Sequence, residues 1–156
     1  MEKASHKRGR DSPGLDNRKC LRAATRPKGY VEDKTDLRRI LVVDDDKGVR
    51  DTMTGILTDL GYDVAVAADG AEALALIQDA TFGLVLTDLN MPGMDGWSLA
   101  ERIKKESNVP IVLITGSERR SVNQRLGKSS VDSVLFKPFR VDELVTVVLK
   151  AFAAIT

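Results

Sequence analysis

The chain has 156 residues, 42% hydrophobic and 30% charged, the composition of an ordinary soluble domain with one core. No apolar run approaches the roughly 18–20 residues of a membrane span, and the polar N-terminus holds no signal-peptide core, so a cytoplasmic protein is expected. One cysteine, Cys20, excludes an internal disulfide, and with a single histidine, His6, zinc or histidine chemistry has almost no raw material.

The net charge of +1 conceals an asymmetry. Residues 1–39 carry twelve Lys/Arg against six Asp/Glu, a net of +6, while residues 40–156 carry twelve against seventeen, a net of −5. Residues 1–36 are rich in Lys, Arg, Gly, Pro and Asp, with too little apolar surface to offset the entropy of ordering. They are expected to form a basic, flexible arm, either a solvated leader or an electrostatic contact. No interleaved aromatics support base stacking there, so nucleic acid is not the favoured partner.

From Arg39 onward strand and helix patterns alternate. Residues 39–44 read as a first strand, and Val49, Met53, Ile56, Leu57 and Leu60 give helical spacing over 47–60, stopped by Gly61. Residues 64–67 form a second strand and 71–80 a second helix. The third strand, 84–87, leads into the turn-rich loop Asn90 to Gly96. Trp97 to Lys105 is the third helix and 110–115 the fourth strand. Residues 118–128 make a polar, poor helix, 133–136 the fifth strand, and Val141 to Phe152 a final amphipathic helix.

Five βα units in so short a segment predict parallel strands with right-handed crossovers. The economical arrangement is an α/β three-layer αβα sandwich with a five-stranded parallel sheet of flavodoxin-like order 2-1-3-4-5. The strands are short, β-branched and continuously apolar, as strands buried on both faces are. Four of them run into polar residues: Asp44-Asp45-Asp46, Asp88, Thr115 and Lys137. In an open parallel sheet those positions share the rim where ligands bind. Acids, a hydroxyl and an ammonium together suit a divalent metal and a phosphoryl group.

Leu41-Val-Val-Asp-Asp-Asp46, Thr87-Asp-Leu-Asn-Met-Pro-Gly-Met-Asp-Gly96, Val112-Leu-Ile-Thr-Gly116 and Lys137-Pro-Phe139 together resemble the receiver domain of two-component response regulators. The resemblance covers about 37–154. It implies that Asp88 accepts a phosphoryl group from the phosphohistidine of a sensor histidine kinase or histidine phosphotransfer protein. Thr115 and Lys137 would contact the transferring group. It further implies Mg²⁺ (or Mn²⁺) held by Asp44, Asp45, Asp88 and the backbone carbonyl of Asn90, and a cis peptide between Lys137 and Pro138. Such a domain signals rather than turns over a substrate, and loses its phosphate by its own chemistry at Asp88.

Smaller expectations accompany these. Asp46 caps the first helix and Asp95 the third, Trp97 packs, and Asn90 and Ser117 flank the phosphoryl site. Three residues before Lys137 the family commonly has an aromatic, and here stands Val134; Phe136 is expected to fill core instead. Residues 116–131 lack the usual small-residue ending, so phosphorylation is expected to shift an order–disorder equilibrium there. No output motif follows the last helix, which leaves a downstream protein contact, a phosphorelay step or phosphate storage, in a stand-alone protein or a receiver from a hybrid kinase. Two rival readings are a haloacid-dehalogenase-type phosphatase with Asp44 as nucleophile, and an interaction-only pseudo-receiver. The first leaves Asp88 and the Asn90 to Gly96 loop unexplained, and the complete acidic set weighs against the second.

Overall fold

The structure, a computed structural model, describes residues 38–153. The expected arm at 1–36, with Cys20 and His6, and both ends of the expected 37–154 domain lie outside them. The strands are β1 (Arg39–Val43), β2 (Asp63–Ala67), β3 (Leu84–Asp88), β4 (Ile111–Thr115) and β5 (Ser133–Phe136). They alternate with the helices α1 (Lys47–Asp59), α2 (Gly70–Asp79), α3 (Gly96–Lys104), α4 (Arg119–Leu126) and α5 (Val141–Ala153). All strand pairs are parallel and the order is β2-β1-β3-β4-β5, as expected. Element limits differ from the expectation by a residue or two.

Strand alternation separates two cores. Leu41, Val43, Val85, Ile111 and Leu113 pack under α2, α3 and α4, with Ala73, Leu99, Ile103 and Val122. Ile40, Val42, Leu84, Leu86, Val112 and Ile114 pack under α1 and α5, with Met53, Leu57, Leu144 and Val148. Leu84, Leu86, Ile111 and Leu113 are fully buried, and each such side chain contributes about 1.5–3 kcal/mol. Both faces of the central strands are thereby occupied, which leaves the strand ends, and the polar residues there, to reach solvent.

Helix ends follow local rules. Asp46 Oδ1 accepts from the amides of Gly48 (2.8 Å) and Val49 (3.3 Å), and Asp95 Oδ1 from Ser98 N (2.8 Å), the capping expected of both. At α2, Asp69 accepts from Glu72 N, and Glu72 reaches back to Ala68 N. Helix α1 stops in a Schellman turn: Gly61 stands at φ +94°, its amide bonds Thr58 O, and Tyr62 N bonds Leu57 O. Gly61→Ala is expected to cost about 1–2 kcal/mol in urea unfolding, since a Cβ disfavours that backbone conformation.

Helix α4 is the least supported. Its N-cap residue Glu118 makes no side-chain capping bond, and only Val122 is buried. Two π contacts hold it: the guanidinium of Arg119 lies 4.0 Å from the Phe136 ring centroid, and that of Arg125 lies 4.9 Å from Trp97. Phe136 packs against the core as expected but is only half-buried, with an arginine over its ring, while Trp97 is buried. Asp132 fastens the far end of the sheet, its carboxylate accepting from Ile111 N and Lys104 Nζ, both at 2.8 Å.

Candidate functional site

The parallel register sets the carboxyl ends of β1, β3, β4 and β5 along one rim. Asp88 ends β3 and is paired in the ladder with Ile114, one residue before Thr115. Lys137 N donates to Thr115 O (2.8 Å), carrying the β4–β5 pairing one step further. Asp44 N likewise bonds Ala67 O (3.1 Å), so Asp44 lies just past β1 with its backbone still tied to β2.

The side chains converge. Carboxylate oxygens of Asp44, Asp45 and Asp88 all lie within 4.8 Å of one another. Asp44 and Asp88 are buried, at 4% and 9% exposure, whereas Asp45 is exposed. Lys137 Nζ stands between the two buried acids, 3.4 Å from Asp88 Oδ1 and 3.6 Å from Asp44 Oδ2. Those distances exceed the roughly 2.7–2.9 Å of a tight charge-assisted bond, as befits one cation shared by two carboxylates. The Asp88 carboxyl is held above the usual carboxylate range, chiefly by burial and then by the neighbouring Asp44 charge, against the opposing pull of Lys137.

One ammonium does not neutralise three clustered carboxylates. The donor set is all oxygen, partly open to solvent through Asp45 and short of positive charge, which fits a hard divalent cation that keeps several waters. Asp46 is outside this group, spent on its cap.

Thr115 is fully buried, and its Oγ1 accepts from Ser117 N (2.9 Å), which fixes the hydroxyl oxygen at the rim. Asn90 and Ser117 are joined across the mouth, Asn90 Nδ2 donating to Ser117 Oγ at 3.0 Å. The Lys137–Pro138 peptide is cis, as expected. Gly96 was not singled out by the sequence reading. A Cβ there would lie 2.5 Å from Asp88 O and 2.6 Å from Leu113 Cδ1, and its amide donates to Leu89 O at 2.9 Å. Helix α3 can start against the end of β3 only because that position lacks a side chain.

A doubly wound parallel sheet of this order, with an acidic cluster, a threonine and a lysine on its carboxyl rim, defines a phosphoacceptor signalling domain of two-component systems. Residues 40–149 match the family model of the response regulator receiver domain, and the chain belongs to that family. It is 40% identical over 109 residues to the DNA-binding response regulator MtrA of Mycobacterium tuberculosis, covering 69% of this chain and 47% of MtrA. The chain spans about half the length of the curated relatives it matches. Among solved structures it resembles the chemotaxis response regulator CheY4 of Vibrio cholerae, with TM-score 0.69 and 32% identity over 72% of this chain and 97% of that one. The Francisella response regulator 1452 receiver domain gives TM-score 0.70 and 32% identity over 76% and 98%.

Proposed function

We propose that Asp88 is the phosphoacceptor. One of its carboxylate oxygens bonds phosphorus as the phosphorus–nitrogen bond of a phosphohistidine breaks, and the imidazole leaves with that electron pair and takes a proton. Asp44, Asp45 and Asp88, with the backbone carbonyl of Asn90, would hold Mg²⁺ or Mn²⁺, which supplies positive charge against the gathered carboxylates and the incoming oxygens. Lys137 turns its ammonium from the two acids toward the phosphoryl oxygens, and Thr115 donates its hydroxyl there. Transfer of this kind is mostly positioning and electrostatic stabilisation, which these few groups can supply. Solvent water later hydrolyses the acyl phosphate, so the protein signals and does not turn over a metabolite.

The reading rests on one observation, the meeting of Asp44, Asp45 and Asp88 around Lys137 at the end of the sheet. Acetyl phosphate with Mg²⁺, followed by a phosphate-affinity gel, tests it. A shifted band, sensitive to hydroxylamine and mapped to Asp88, is expected. Label on Asp44 instead would support the phosphatase reading, and no label from acetyl phosphate or a phosphohistidine donor would leave an interaction-only domain.

The donor is a sensor histidine kinase or histidine phosphotransfer protein, and the change is read by a downstream protein. A cytoplasmic location is proposed with that donor; among the described residues no helix is long and apolar enough to cross a membrane. The body at about 37–154 is read as the receiver, and the basic residues 1–36 lie outside the described residues. DNA binding belongs to the name of the relative MtrA. For this chain the support is weaker, the basic composition of residues 1–36 alone.

Two expected results follow from the same chemistry. Ligand that binds only the folded state stabilises it by about 2.7 kcal/mol at a hundredfold excess over Kd. Mg²⁺ in such excess should therefore raise the urea midpoint of the wild type, and leave Asp45→Asn nearly unmoved. The thinly capped α4 supports a population shift on phosphorylation. Amide exchange across 116–131 should change when a phosphoryl mimic binds at Asp88, and unchanged rates would argue against it.

A further inference from the structure

We infer that Arg50 is a positioning residue for the metal-binding acids, an inference that rests on the reading of the site as a metal-dependent phosphoacceptor. Arg50 lies in the first turn of α1, where its amide bonds Asp46 O at 3.1 Å. Its guanidinium reaches back across the elbow between β1 and α1, Nη1 donating to Asp44 O at 2.7 Å. That carbonyl belongs to the peptide joining Asp44 to Asp45, and a peptide is a rigid plane. Holding the oxygen therefore sets the direction in which Asp45 leaves the backbone.

The rest of the elbow is anchored on other atoms. Asp44 N is tied to Ala67 O, and Asp44 Oδ1 accepts from Asp46 N at 2.9 Å. Both bonds act on the strand side of the Asp44–Asp45 peptide or on the Asp44 side chain. Asp45 itself is exposed, so packing does not hold its carboxylate near Asp44 and Asp88. The guanidinium is half-buried, where a bond to a carbonyl is stronger than in open water. It spans six residues of chain, from a helix fixed by its own cap to a loop that must not move when a cation arrives.

Two effects of Arg50 oppose each other. As a nearby positive charge it disfavours a second cation, so a purely Coulombic role predicts tighter metal binding once it is removed. As a clamp on the Asp44–Asp45 peptide it preorganises two ligands, so a positioning role predicts weaker binding. The sign of the change separates them. Arg50→Met keeps the apolar stem, which covers the surface of α1, and removes the donor. Arg50→Lys keeps the charge and one donor.

Binding of Mn²⁺ to the full-length protein is measured by the electron paramagnetic resonance of the free ion. Gly61→Ala serves as a control that lowers stability away from the site, and Asp45→Asn as a control that removes a ligand. Arg50→Met is expected to weaken Mn²⁺ binding about tenfold, a loss of about 1.4 kcal/mol, with Arg50→Lys intermediate and Gly61→Ala like the wild type. Labelling by acetyl phosphate at saturating metal is expected to stay within a factor of two, the loss being confined to the metal concentration required. Should Arg50→Met misfold by circular dichroism, Arg50→Lys carries the test, with a weaker but measurable loss. Unchanged or tighter binding in the folded Arg50 variants overturns the inference. Failure of the wild type to bind Mn²⁺, or wild-type affinity in Asp45→Asn, overturns the site reading instead.

Discussion

Asp88→Asn is expected to end acyl-phosphate formation altogether while making the metal-free protein harder to unfold. The first result follows because an amide has no anionic oxygen to bond phosphorus. The second follows from the electrostatics of the unfilled cluster. Asp88 is buried beside the buried Asp44, and Lys137 offsets only part of the cost. Its folded-state carboxyl is therefore held above its ordinary value, and the folded state retains the proton better than the unfolded chain. Stability from this group is present in full below the ordinary carboxylate pKa and is lost as pH rises through the raised one. Asparagine removes that loss. The midpoint difference between Asp88→Asn and wild type should accordingly be small in acid, widen as Asp88 ionises, and plateau above its folded-state pKa. Urea titrations in a chelator across that range measure it. Adding Mg²⁺ should shrink the difference by stabilising the wild type, and a difference indifferent to both pH and metal would sink the electrostatic account.

Gly96→Val is the second large effect. Because the clashing atoms at Gly96 include Asp88 O and Leu89 Cα, which are backbone, no side-chain rotation relieves them. Helix α3 would have to lift off the end of β3, breaking the 2.9 Å bond from Gly96 N to Leu89 O. Overpacking alone costs about 1–3 kcal/mol, and displacing a helix start adds to it, so about 3 kcal/mol or more is expected in chemical denaturation. Phosphorylation should fall with it, since the displaced backbone carries Asp88. Gly55→Ala makes the contrast: it lies on the exposed side of α1 with nothing within 4 Å of an added Cβ. Alanine there should stabilise by about 0.5–1 kcal/mol. Equal effects at the two positions would refute the steric argument.

These residues also mark how far the sequence could be read. Sheet order, alternation and the rim residues Asp44, Asp45, Asp88, Thr115 and Lys137 were legible because parallel strands advertise themselves as apolar runs and end where ligands bind. Gly61 was legible as a helix stop because the signal is local. Gly96 was not, since its necessity comes from Asp88 and Leu113, which only the tertiary fold brings within reach. The same holds for Asp132, whose partners Ile111 and Lys104 are 21 and 28 positions away, and for the Asn90–Ser117 bond. Arg50 drew no expectation from the sequence; that its guanidinium turns back to Asp44 O is a matter of rotamer and packing. Phe136 was expected to fill core, and it does pack against the core of that face. The arginine closing over its ring comes from a separate helix, α4, and no local signal announces it.

The pairing of Arg125 with Trp97 gives the protein an optical handle of its own. The chain has one indole, buried at the start of α3 and overlaid by a cation from α4. Tryptophan emission is expected to change if α4 lifts or slides, so the proposed coupling of α4 to rim occupancy can be followed in real time on unlabelled protein.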